Sequence, residues 1–180
     1  MDLARSHAAA WKLGRVHFDY DGDAPKPRGF LIGEAPGPNT DAKLPLFPVP
    51  NSSAAGRLLR YADIHPSYYL GRLARMNLCD DEWSERRAVA GRVRAISYLL
   101  DATNFYEGKP LRVLLLGGRV AKTWAFSGSF GYEELDLVGV VLRIAWIPHP
   151  SGRCHLYNER KNQLRARRAV QWAVGERDRP

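Results

Sequence analysis

Two short segments of the sequence place a titratable side chain among glycine and proline residues. Glu34 lies within Gly33–Gly37 (GEAPG), and His149 lies within Pro148–Gly152 (PHPSG). Such neighbours fix the backbone, so the carboxylate is free to activate a water or to stabilise a developing cation. The imidazole can donate a hydrogen bond to developing negative charge, which contributes about 2.7–4 kcal/mol when it is well aimed. Taken singly, Glu34 as a cap or surface residue and His149 as a structural loop residue remain alternatives.

Other residues are of types that bind nucleic acid. Asn77 lies between two apolar residues, and its amide carries both a donor and an acceptor, which suits the edge of a base. Phe47 can stack on a base, and Ser151 and Gly152 supply donors that suit a phosphate. A turn-capping Asn77 and a core Phe47 are the alternatives.

Two further motifs carry less weight. The segment Gly117–Arg119 (GGR) follows an apolar run but lacks the spacing of a dinucleotide-binding loop or a P-loop. His149, Cys154 and His155 match no zinc-binding pattern. Two cysteines in the whole chain form neither a four-cysteine metal centre nor a disulfide framework. We therefore expect no metal and no other cofactor.

The elements that must position these residues alternate between strands and helices. The sequence predicts strands at Phe30–Ile32, Leu73–Leu78, Arg112–Leu116 and Val138–Ile147. The last is either a single strand or the second half of a hairpin or bulged pair. Helical spacing predicts helices at Asp2–Leu13, after the cap candidates Asn51–Ser53, at Asp80–Thr103, at Ala121–Ala125 and at Tyr157–Val174. The apolar face of the third of these helices is predicted to carry Val89, Val93, Ile96, Leu99 and Leu100. This alternation favours an α/β fold, a three-layer α/β/α sandwich with a central, mostly parallel four-stranded sheet. With no linker or repeat, we expect one domain over residues 1–180.

The candidate residues follow the predicted strands. Glu34, Asn77, Gly117 and His149 each stand at or just after the end of a different strand. Ligands of parallel α/β sheets bind beyond the carboxyl ends of the strands. The four positions therefore predict a single crevice at one edge of the sheet.

The composition and the lengths of the apolar runs exclude several classes of protein. An apolar fraction of 45% and a charged fraction of 26% exclude a disordered or fibrous chain. No apolar run approaches the roughly 20 residues of a membrane helix, and no secretory pattern begins the sequence. We therefore expect a soluble, cytoplasmic monomer that does not associate with membranes.

The basic residues indicate the partner. The net charge is +8, and of the 27 basic residues 21 are arginine. Arginine matches phosphate with a planar donor fork, which favours nucleic acid as the partner. Arginine use in a GC-rich genome is the alternative.

In order and spacing, these residues resemble a known family. Gly33–Gly37, Asn77 and His149–Gly152 are similar to the two signature motifs and the base-reading asparagine of the uracil-DNA glycosylase superfamily. The first motif looks most like the GEAPG of the iron–sulfur branch. Phe47 and Ala54–Leu59 resemble the phenylalanine and the glycine-rich helix start that come after the motif in that branch. The resemblance extends from about Phe30 to Asn158.

The resemblance implies a monofunctional DNA glycosylase that acts on a flipped-out base. Glu34 would activate the water or stabilise the sugar cation, and His149 would donate to the pyrimidine O2. Phe47 would stack on the base, Asn77 would read its edge, and Ala35 would also contact it. The residues implied in DNA contact are Pro36, Gly37, Ser53, Ser151, Gly152, Arg153 and His155, with Arg153–Leu156 as the loop pressed into the duplex.

Two departures from the family pattern bear on cofactor and substrate. The iron–sulfur branch needs four cysteines, and this chain has two, so we expect no cluster. Thr40 stands where that branch has an acidic residue, so uracil and 5-modified pyrimidines are both candidate substrates. The alternatives are a catalytically inactive DNA-binding module on the same fold and a nucleotide-processing enzyme.

Overall fold

In the part of the chain that the structure describes, six strands form one sheet, with helices joining them along the chain. The computed structural model describes residues 16–17, 27–37, 40–41, 43–50, 52–103 and 109–180. The helix predicted over Asp2–Leu13 lies outside these residues. The strands are β1 (Val16–His17), β2 (Gly29–Gly33), β3 (Leu73–Asn77), β4 (Leu111–Leu116), β5 (Gly131–Leu137) and β6 (Val140–Ile147). The helices are α1 (Ala54–Ala62), α2 (Pro66–Leu70), α3 (Glu85–Thr103), α4 (Gly118–Thr123) and α5 (Arg160–Ala173), with a 3₁₀ turn over His155–Asn158.

The sheet is mostly parallel. Its order is β1-β3-β2-β4-β6-β5, and β3, β2, β4 and β6 run parallel to their neighbours within this central group. The outer strands β1 and β5 pair antiparallel to β3 and β6. The carboxyl ends of the four parallel strands therefore meet at one edge, as a crevice there requires.

The mixed α/β class is confirmed, but the prediction of four strands is wrong. The additional strands are the two-residue β1 and the edge strand β5. β5 forms a hairpin with β6 through Val138 and Gly139, whose φ angles are 55° and 81°. β5 lies at the edge of the sheet, and its residues are half-buried or exposed. An edge strand of this kind lacks the continuous apolar run by which a buried parallel strand is recognised.

Successive residues of the central strands contribute to two separate cores. Leu31 belongs to a cluster with residues of α1, α2 and α5. Its neighbours Phe30 and Ile32 belong to a second cluster with residues of α3 and α4. This alternation follows from the period of two along a strand, which sends neighbouring side chains to opposite faces. Of the helices that the structure describes, none is both long and apolar enough to cross a bilayer.

The helix predictions are confirmed in kind and corrected at their ends. α1 begins where expected, because the Ser53 hydroxyl accepts from the Gly56 N–H (2.9 Å) and caps the helix. α3 begins at Glu85 rather than Asp80, α4 at Gly118 rather than Ala121, and α5 at Arg160 rather than Tyr157.

The predicted apolar face of α3 is wrong at its first two positions and confirmed at Leu99, which is 1% exposed. Val89 and Val93 are 48% and 57% exposed. The buried residues include Ala88, Gly91 and Ala95. A Cβ added to Gly91 would lie 2.0 Å from the Leu78 carbonyl oxygen. Around Gly91 the helix therefore packs too closely for large side chains, and the buried residues there are small.

Candidate active site

Glu34 and His149 meet at Gly117. A Cβ built on Gly117 would lie 2.5 Å from Glu34 Oε1 and 3.3 Å from the Cβ of His149. The three residues follow β2, β4 and β6, and the Gly117 N–H donates to the Ile147 carbonyl (2.9 Å). Gly117 has φ 108° and ψ 146°, a conformation open essentially to glycine alone. Glycine at this position leaves room for the Glu34 carboxylate beside the Cβ of His149.

The backbone of Glu34 is fixed by β3. The Leu78 N–H donates to the Gly33 carbonyl (3.0 Å) and the Cys79 N–H donates to the Glu34 carbonyl (2.9 Å). The pairing of β2 with β3 thus continues past both strands. Glu34 therefore extends from a rigid strand end, as a group that must aim at a substrate needs to.

The Glu34 carboxyl is mostly withdrawn from solvent. Its side chain is 23% exposed, and Oε2 lies 4.0 Å from Nη1 of Arg119. Burial raises the pKa of Glu34 above its ordinary value, and the positive charge of Arg119 opposes that rise. A carboxylate that gains protons more readily than usual suits a general base.

The His149 loop is held by two hydrogen bonds to flanking prolines. Arg57 Nε donates to the Pro150 carbonyl (2.7 Å), and the Tyr157 hydroxyl donates to the Pro148 carbonyl (2.6 Å). Burial and the charge of Arg57 lower the pKa of His149 below its ordinary value. At neutral pH the ring is therefore neutral, with one N–H donor and one acceptor.

Asn77 lies at the next strand end. It pairs in register with Gly33 and is 7% exposed. Its Oδ1 would be 2.7 Å from a Cβ on Gly33, and no hydrogen-bond partner satisfies it among the described residues. A buried amide oxygen left in this state costs about 1–3 kcal/mol. Such an atom is expected where a ligand supplies the missing donor.

The segment between β2 and α1 contains Leu46 and Phe47. The Leu46 side chain would contact a Cβ on Gly33 at 3.0 Å, so Leu46 lies beside Asn77. The Tyr69 hydroxyl donates to the Leu46 carbonyl (2.9 Å) and fixes the segment. Phe47 is 37% exposed, and its stacking on a base stays a prediction.

The other predicted contact residues differ in their exposure to solvent. Ala35 and Pro36 are half-buried and Gly37 is exposed. Ser53 is 6% exposed, and besides capping α1 its hydroxyl accepts from the Val49 N–H (2.9 Å). This hydroxyl is occupied inside the protein, so its predicted contact with DNA is not visible in the structure.

The loop after His149 is more open. Ser151 is half-buried, whereas Gly152, Arg153 and His155 are exposed. Leu156 is 39% exposed, and its carbonyl accepts from Asn162 Nδ2 (2.8 Å). The loop therefore presents one basic and one apolar side chain from an anchored backbone.

Two site residues were missed from the sequence, Arg57 and Arg119. Arg57 stands within the segment that resembles a helix start, and Arg119 within a motif that carries little weight by its spacing. Spacing alone gives no signal for their contacts with Pro150 and Glu34, which are distant in sequence.

Metal binding and similarity to known proteins add no candidate function. Within the described ranges, no group of three or more His, Cys, Asp or Glu side chains is placed to hold a metal ion. No protein-family model matches the chain, and no curated protein is significantly similar to it. The function is therefore argued from the geometry of the site.

Proposed function

We propose that this protein is a monofunctional DNA glycosylase built as a three-layer α/β/α domain. It hydrolyses the N-glycosidic bond of a flipped-out uracil or modified pyrimidine in DNA and leaves an abasic site. The approach of Glu34 and His149 at Gly117 is the observation that carries the proposal. The resemblance of their two segments to the signature motifs of uracil-DNA glycosylases supports the same function.

Each member of the pair has a distinct task in this reaction. The bond from the sugar C1′ to the base nitrogen breaks, and its electron pair leaves with the base. The Glu34 carboxylate stabilises the positive charge on the sugar and takes a proton from the water that attacks C1′. The neutral His149 ring donates to the base oxygen, where negative charge develops.

Recognition of the base is assigned to Asn77. Its buried amide has an oxygen without a partner among the described residues, and the N–H of a pyrimidine edge supplies the missing donor. Phe47, on the neighbouring segment, provides an aromatic face. A ring that is 37% exposed suits a base that enters from solvent.

Contact with DNA is assigned to the basic surface and to the loop after His149. The exposed Arg153 suits a phosphate, and the exposed Leu156 on an anchored backbone suits the gap left by a flipped base. Flipping costs a few kcal/mol. Phosphate contacts by a chain of net charge +8 offset that cost.

Base release from labelled oligonucleotides tests the proposal. The panel carries uracil, hypoxanthine, hydroxymethyluracil, hydroxymethylcytosine and its glucosylated form, in single and double strands, with alkaline cleavage at abasic sites. We expect release from at least one pyrimidine. Salt-dependent DNA binding without any release would instead favour an inactive DNA-binding module.

Substitution of Gly117 tests the importance of its close approach to the Glu34 carboxylate. In Gly117→Ala the new methyl group would overlap the Glu34 carboxylate, and the backbone would be strained by about 1–3 kcal/mol. We expect base release to fall about 10²-fold, since a displacement near 1 Å has such an effect. Single-turnover rates on the best substrate of the panel measure it.

Gly118→Ala is the matched control. A Cβ there meets nothing within 4 Å, and Gly118 opens α4. Alanine is therefore tolerated, and we expect an unchanged rate. Equal rates for both variants would show that the approach of Glu34 to Gly117 has no catalytic importance.

A further inference from the structure

Arg119 lies between the Glu34 carboxylate and an aromatic ring. Its Nη1 is 4.0 Å from Glu34 Oε2, and its guanidinium carbon is 5.8 Å from the centre of the Trp83 ring. Trp83 is half-buried on the segment between β3 and α3. The guanidinium is thus placed by contacts on two sides, although its side chain is 64% exposed.

We propose that Arg119 is a positioning residue that keeps Glu34 as an oriented carboxylate in the crevice. The inference rests on the proposed function, because it concerns the carboxylate that activates water. Arg119 follows Gly117 by two residues, at the start of α4. The turn that makes room for Glu34 also brings this guanidinium to it.

Among the described residues, Arg119 supplies positive charge next to Glu34. His149 lies across Gly117 and is neutral at neutral pH, because burial lowers its pKa. The β3 side contributes the backbone of Cys79, whose thiol is directed to the Ser84 carbonyl (3.7 Å). Without Arg119, burial would act on Glu34 unopposed and its pKa would rise further.

The pH dependence of base release separates this role from DNA binding. At low pH, kcat/KM is expected to fall as Glu34 becomes protonated, and we call this fall the acid limb. In Arg119→Ala we expect the acid limb to move to higher pH by about 0.5–1 unit, a small shift because the Arg119 side chain is partly exposed to solvent. Arg119→Lys retains the positive charge, so its acid limb should lie close to that of the wild type. A residue that only contacts phosphate would change the salt dependence and leave the limb in place, which would overturn the proposal.

Lys122→Ala is the matched control. Lys122 is an exposed cation on the same helix, so its loss changes the net charge equally. We expect the acid limb of this variant to coincide with that of the wild type. A shift as large as that of Arg119→Ala would show a general effect of charge and would contradict a specific role for Arg119.

A second readout does not need catalysis. The Glu34 carboxyl carbon, assigned by its absence in Glu34→Gln, is titrated by NMR in the folded wild type, Arg119→Ala and Lys122→Ala. We expect its midpoint to rise in Arg119→Ala alone. If the protein releases no base but the midpoint rises in Arg119→Ala, the proposed function is refuted and the effect of Arg119 on Glu34 still holds. If the midpoint is the same in all three proteins, the role of Arg119 is refuted, whether or not base is released.

Discussion

Glu34→Gln is expected to lower the rate of base release by about 10²–10⁴-fold, the range for loss of a general base. Glutamine keeps the shape of the side chain but neither accepts a proton from water nor carries charge toward the sugar. DNA binding is expected to be unchanged or slightly tighter, because a negative charge is removed from the crevice. Single-turnover rates and binding titrations with one oligonucleotide measure both quantities.

Folding stability distinguishes lost chemistry from lost structure in this variant. The folded state raises the pKa of Glu34, so it holds the proton more tightly than the unfolded chain does. Stability is therefore lost as pH rises from the unfolded pKa through the folded pKa. At neutral pH, Glu34→Gln removes that cost, and its thermal midpoint should equal or exceed the wild-type value.

Glu133→Gln provides the control for Glu34→Gln. Glu133 is an exposed carboxylate on β5, and its replacement should leave base release unchanged. If Glu34→Gln released base at the wild-type rate, the assignment of the general base would be wrong, whatever the control showed.

The central strands were predictable because their burial is complete. Residues Gly29–Gly33 and Leu73–Asn77 are buried throughout, and apolar residues predominate in both strands, although Arg75 interrupts the second. The positions of Glu34 and Asn77 then follow, because each stands at or next to a strand end. Residues whose position depends on a strand end are thus predictable once the strand is recognised.

Features that depend on the distance between elements were not predictable. Val89 and Val93 fit a helical stripe as well as Ala88 and Ala95 do. The close packing at Gly91, where an added Cβ would lie 2.0 Å from the Leu78 carbonyl oxygen, decides which stripe is buried. Likewise, Arg119 belongs to the site because it contacts Glu34, although the two residues are far apart in the sequence. A linear pattern contains neither distance.

Burial acts in opposite directions on the two reacting groups. It raises the pKa of Glu34 and lowers that of His149, because it disfavours the charged form of each. The reactive combination, a carboxylate beside a neutral imidazole, therefore exists at every pH above both values. We infer that these two groups produce an acid limb in the rate profile and no alkaline limb.

His149→Ala is expected to lower the rate of base release by about 10²–10³-fold, the range for loss of one donor to developing negative charge. His149→Asn keeps a donor on a shorter side chain and should retain more activity than alanine. Single-turnover rates at a pH well above the acid limb measure both variants, so that protonation does not enter. DNA binding is expected to remain close to wild type, because the ring acts only as the base departs.

The control and the double variant determine whether His149 and Glu34 act as a unit. His65→Ala removes an exposed histidine that caps α2 and should leave the rate unchanged. In Glu34→Gln/His149→Ala we expect a smaller loss than the product of the two single losses, because groups that act on one transition state are not independent. Two strictly multiplicative losses would contradict this coupling and place His149 outside the step that Glu34 assists.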